Sequence, residues 1–71
     1  MTKKPKIGEM VNFPGSNNNT GIGIVVDPAT FNVPRKDKFF MERENYVLIQ
    51  SLIDNVPSTI FWIKYKELKA I

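Results

Sequence analysis

Apolar and polar side chains alternate most cleanly near the carboxyl end, where Thr59, Phe61, Ile63 and Tyr65 interleave with Ile60, Trp62 and Lys64. A period of two marks an extended strand whose faces meet different surroundings, so residues 59–65 are predicted as a strand. Phe61 and Ile63 are expected to fill the core. Trp62, with Ile60 and Lys64, is then expected on the outer face, because so short a chain can hardly cover a sheet twice. The same period places Ile7, Val11 and Phe13 opposite Met10 and Asn12, which predicts a strand over 7–13, opened by Gly8 and stopped by Pro14. Residues 21–27 are apolar and β-branched, with Gly21 and Gly23 on one face. Glycines inside a strand mark a bulge, a sharp bend or a close approach, so this strand is expected to be strongly bent.

Between these segments, Pro14 to Asn19 is an unbroken set of turn formers, and Asp27-Pro28 opens a second, longer loop that runs through Phe31, Pro34 and Arg35 to Lys36. Residues 45–53 are predicted as a strand because Tyr46, Val47, Leu48 and Ile49 are bunched strand formers behind a polar interruption at 42–45. A helix over 37–53, capped by Asp37 with Tyr46, Ile49 and Ile53 at helical spacing, is the alternative. Asp54 to Ser58 joins this segment to 59–65 as an antiparallel hairpin. Lys66, Glu67 and Leu68 fit one tight helical turn, and 69–71 a brief last strand. Residues 1–5 read as a flexible basic arm, and 6–71 as one domain.

With 71 residues the chain has room for a single core. It contains no cysteine and no histidine, so neither a disulfide nor an ordinary zinc cage is available. No cofactor is expected. A Ser-His or Cys-His nucleophile pair cannot be assembled, so the chain is expected not to be an enzyme; a pocket lined by Asp27 and Asp54 around a metal would reverse that. No apolar run approaches the roughly eighteen residues of a membrane span, and no apolar stretch follows the charged Met1–Lys6. A cytoplasmic protein, neither secreted nor membrane-spanning, is expected. Asn18, Asn19 and Thr20 spell a glycosylation acceptor, which in that setting reads as a polar loop. Ten Lys and Arg against seven Asp and Glu give a net charge of +3, a modest excess favouring anionic partners.

The order of parts is a Lys-x-Gly-Glu-x-Val-x-Phe start, a Gly-Ile-Gly-Ile-Val-Val strand, a bunched apolar strand and an Ile-Phe-Trp-Ile-Lys-Tyr-Lys-Glu-Leu ending. It resembles the small Src-homology-3-like barrels, a group that includes KOW and Tudor-type modules and short proteins of tailed phages of marine bacteria. The resemblance covers residues 6–71. It implies an all-β fold: a five-stranded, highly bent antiparallel barrel with a short helical turn before the last strand. It also implies binding of protein, RNA or DNA; if the chain is phage-encoded, its setting is the host cytoplasm.

Gly21-Ile22-Gly23 is not a dinucleotide loop, since Val26 stands where a third glycine belongs. Glu42 and Glu44 flank Arg43 and read as a solvated surface. The cations form three sets: Lys3, Lys4 and Lys6; Arg35, Lys36 and Lys38; Lys64, Lys66 and Lys69. Nucleic-acid binding requires such charges to converge, with aromatics available for stacking. The candidate partner or nucleic-acid surface is therefore Trp62, Tyr65, Tyr46, Phe31, Arg35, Lys36 and Lys64. Trp62 leads it, because an indole on an outer face is a common anchor for partners. The expected function is a noncatalytic binding module or accessory protein acting through a protein partner or its own homo-oligomer. A KOW-like RNA- or DNA-binding protein is the alternative.

Overall fold

The computed structural model describes residues 1–15 and 20–71. It is mostly β, with five antiparallel strands in one sheet ordered β4-β3-β2-β1-β5. The strands are β1 (Met10–Pro14), β2 (Thr20–Val25), β3 (Tyr46–Ile53), β4 (Val56–Lys64) and β5 (Lys69–Ala70). One helix, α1 (Arg35–Arg43), and a 3-10 turn at Pro28–Phe31 lie between β2 and β3, and a second 3-10 turn, Tyr65–Glu67, precedes β5. The sheet is open: β4 and β5 are its edges, and the two-residue β5 pairs only with β1. The loop expected at Pro14–Asn19 falls largely outside the described residues, as does most of the Asn18–Thr20 pattern.

Opposed residues of paired strands share a face, so the register sorts the side chains. Val47 faces Ile63, Ile49 faces both Phe61 and Val25, and Val11 faces Gly23. Val11, Val25, Val47 and Ile49 form the buried core with Leu68, and half-buried Phe61, Ile63, Phe13, Met1 and Tyr65 pack against it. The glycine pair has a side-chain cause. A Cβ on Gly21 would overlap the Phe13 ring, and one on Gly23 would stand 2.5 Å from Ile49 Cγ2. Phe13 therefore lies over bare β2 backbone, where it meets Phe61 edge to face at 5.1 Å between ring centres.

The hairpin between β3 and β4 turns on Asp54 and Asn55, with φ of 52° and 65°. Two left-handed residues in a two-residue loop match the twist of a hairpin, and Asp and Asn tolerate them well. Strand β4 consequently begins at Val56, earlier than the expected 59. Farther along, Gln50 faces Ile60 but Leu52 faces Pro57, so Ser58 and Thr59 bulge opposite Ser51. Gln50 Nε2 and Ser51 Oγ donate to the Ser58 and Thr59 carbonyls at 3.1 and 3.2 Å and hold the bulge in place.

Two expectations need correction. Residues 28–36 are not one irregular loop. Asp27 caps the first 3-10 turn by accepting from the Ala29 amide at 3.0 Å, and α1 starts at Arg35. The helix is also not the one offered over 37–53: it ends at Arg43, and Asn45, at φ 67°, turns the chain into β3. Pro34, not Asp37, stands at its N-cap; Asp37 lies in the first turn and Arg43 in the last, both favourable to the helix dipole.

The second correction concerns the Trp62 face. Leu48 faces Trp62 across the hairpin yet is only 3% exposed, and three consecutive β3 residues, Val47, Leu48 and Ile49, are buried. Both faces of β3 are therefore covered. Around Leu48 and Trp62 lie Pro5, Ile7, Pro28 and Glu42, lining a small, partly open cavity of about 60 Å³. Inserting α1 between β2 and β3 supplies a partial second layer that period-two reasoning leaves out. The expected arm 1–5 runs along the molecule. Pro5 is buried, Lys4 pairs with Glu42 at 3.4 Å, and the Met1 ammonium donates to the Leu68 and Tyr65 carbonyls at 2.6 and 3.2 Å.

Candidate partner-binding site

Helix α1 is anchored to the sheet by its Met41–Glu42 side, both half-buried, and its opposite side carries apolar rings into solvent. Phe39 is 68% exposed and Phe40 55%. Lys36 and Phe40, like Asp37 and Met41, are four residues apart and share a helix face. With Phe39 and Trp62 they line an open groove of about 450 Å³. The half-buried Trp62 lines it from the sheet and the other five residues from the helix. Single exposed apolar residues are ordinary, but a contiguous set around a concave surface marks a contact site.

The structure brings together part of the surface read from the sequence. Trp62, Lys64 and Tyr46 share one face of the β3–β4 hairpin, and the Lys64 ammonium lies 5.7 Å from the centre of the Tyr46 ring, within cation–π range. Lys36 lines the groove with Trp62, while Lys64 and Tyr46 lie outside its lining. Arg35 is exposed at the first residue of α1. Phe31 lines a different depression, with Ile7, Ile24 and Gln50. Tyr65 is on the other side, packed against the main core.

Phe39, Phe40 and Met41 are the site residues that sequence reasoning passed over. Three adjacent apolar residues fit neither period. The available signal was their setting in Arg35-Lys-Asp-Lys-Phe-Phe-Met-Glu-Arg43, where charges at both ends suit an exposed helix. Asp27 and Asp54, which a metal reading would join, flank opposite ends of β3 through the register. Among the described residues no group of three or more Asp, Glu, His or Cys could hold a metal ion, and no helix is long and apolar enough to cross a membrane.

No family model, curated protein or solved structure matches the chain.

Proposed function

We propose that the chain is a noncatalytic binding module on a Src-homology-3-like barrel frame and that it acts through protein contacts. A four-stranded meander, β1 to β4, with a 3-10 turn before a short last strand that crosses over to pair with β1, supports the frame. The observation that carries the function is the exposed Phe39 and Phe40 pair beside Trp62, in a groove of about 450 Å³. Aromatic anchors in a partly formed pocket are the usual centre of a protein interface.

The test compares the wild-type chain with Phe40→Glu for capture of proteins from the native cell, after checking that the two melt alike. Proteins held by the wild type and released by the variant support the reading; equal capture by both overturns it.

The second reading, a KOW-like nucleic-acid binder, draws on Trp62, Tyr46 and Lys64 sharing a face with Lys36 nearby. Asp37 in the same groove counts against a phosphate track. Filter binding at two salt concentrations decides it, because phosphate contacts weaken steeply as salt rises. No binding at low salt removes that reading.

A further inference from the structure

Strand β4 is an edge, and its two halves treat that edge differently. Over 56–59 the edge is blunted by Pro57, which has no amide hydrogen, and by the bulge at Ser58 and Thr59. Both are common devices against unwanted strand pairing. Over 60–64 neither device is present. Bonded and non-bonded pairs alternate along an antiparallel ladder, which fixes where the peptide groups of this half point. The Tyr65 amide donates to the Asn45 carbonyl at 3.0 Å, making that a bonded pair. The register then makes Ile63–Val47 and Phe61–Ile49 bonded, and Lys64–Tyr46, Trp62–Leu48 and Ile60–Gln50 non-bonded. The other side of β3 agrees, since the Leu48 carbonyl accepts from the Val26 amide at 3.0 Å and so points away from β4. The N–H groups of Ile60, Trp62 and Lys64 and the C=O groups of Ile60 and Trp62 therefore face the open edge, where no described strand pairs with them; the Lys64 C=O stands at the N-cap of the Tyr65–Glu67 turn.

Trp62 thus presents its peptide group at the edge and its indole to the groove walled by Phe39 and Phe40. An unpaired ladder beside an apolar pocket is what strand addition uses: main-chain bonds hold the peptide, and alternate side chains enter the pocket.

Charge selects among occupants. Helix α1 carries Arg35, Lys36, Lys38 and Arg43 against Asp37 and Glu42, and Glu42 is occupied by Lys4 in the one ion pair among the described residues. Lys36 lines the groove together with Asp37, and Lys64 stands two residues along β4 from Trp62 on the same face; neither lysine is in an ion pair among the described residues. A second copy would bring the same cations against each other, whereas a partner segment bearing carboxylates would neutralise them.

We propose that the Ile60–Lys64 edge of β4 accepts an extended segment of a partner protein as a sixth strand. The segment has apolar residues at alternate positions, one seated between Trp62 and Phe40, and carboxylates towards Lys36 and Lys64. This rests on the reading of the groove as a protein-binding site.

The experiment pans a random eight-residue peptide display library against the full chain, synthesises the strongest binder and follows amide hydrogen exchange by NMR. Enriched peptides are expected to alternate apolar residues with Asp or Glu. Bound peptide should slow exchange at the Ile60, Trp62 and Lys64 amides by at least about tenfold, as expected when open-edge amides gain main-chain bonds. Trp62→Ala should weaken the peptide about thirtyfold, the scale of an interface hot spot, and Lys36→Glu with Lys64→Glu should reverse its preference for acidic residues. Peptides that bind without protecting those amides overturn strand addition and leave the groove reading standing; no enriched peptide at all overturns both. Two further results refute the proposed occupant. One is a chain that protects these amides by dimerising alone. The other is a twenty-nucleotide single-stranded DNA that displaces the peptide.

Discussion

Gly23→Ala places one methyl group in the middle of the core face. Gly23 faces Val11 on one neighbouring strand and Ser51 on the other. The new Cβ would stand 2.5 Å from Ile49 Cγ2, 3.2 Å from the Gln50 carbonyl oxygen and 3.3 Å from the Phe13 ring. Ile49 is fully buried and the Gln50 oxygen belongs to the sheet backbone, so neither can retreat cheaply. Two effects of opposite sign compete. Alanine restricts the unfolded chain, which stabilises by about 0.4–1 kcal/mol where there is room. Forcing extra carbon into a packed core costs about 1–3 kcal/mol.

Overpacking wins, and the net loss is about 1–2 kcal/mol, a large part of the roughly 3–5 kcal/mol that one small core supplies. Urea melts followed through Trp62, the sole tryptophan, read this as a midpoint lowered by roughly 1–2 M, taking m as about 1 kcal/mol per M. Ile49→Leu removes the γ-methyl branch that the new Cβ meets, and by itself costs under about 1.5 kcal/mol. In that background Gly23→Ala should recover at least about 0.5 kcal/mol of its penalty, because residues in contact couple. A Gly23→Ala midpoint at or above the wild type, with no coupling to Ile49, refutes the claim that Ile49 and Phe13 lie on bare β2 backbone.

Leu48→Ala should cost about 2–4 kcal/mol, as expected for a buried leucine, because the face it shares with Trp62 is a second packed layer; a loss under about 1 kcal/mol in the same melts would return that face to solvent. Asp27→Ala should lower stability by about 1 kcal/mol through loss of the cap on the first 3-10 turn, whereas Asp27→Asn, which keeps an accepting oxygen, should be close to neutral; equal losses in the two variants would dismiss the cap.

What was legible in the sequence follows from what each period can report. Tyr46–Ile53 carries a bunched run of strand formers and Val56–Lys64 a clean alternation over its second half, and Asp54-Asn55 between them has the chemistry of a hairpin turn. Gly21 and Gly23 are read from the sequence as a sharp bend; what their missing side chains make room for is the Phe13 ring at Gly21 and, at Gly23, the Ile49 side chain and the Gln50 carbonyl oxygen. Parity had already grouped Tyr65 with Phe61 and Ile63, so its place against the core was readable even though it was put with the surface aromatics. Helix α1 was not legible. It has no side-chain N-cap, and its apolar residues are consecutive, so neither the strand nor the helix period rises above its neighbours.

The missed helix is also what makes the site. Trp62 was expected on an outer face because a short chain lacks the material to cover a sheet twice. The nine-residue helix inserted between β2 and β3, with Pro28 and the amino-terminal Pro5 and Ile7, covers that face enough to bury Leu48 but not enough to close over the edge strand beside it. Phe39 and Phe40 remain in water at the border of the layer. Burying an aromatic side chain fully stabilises by about 1.5–3 kcal/mol, so most of that gain is left unrealised in the isolated chain and is available to whatever next covers the border. The exposed backbone of Trp62 lies on the same border, which is why the apolar groove and the open ladder coincide at one residue.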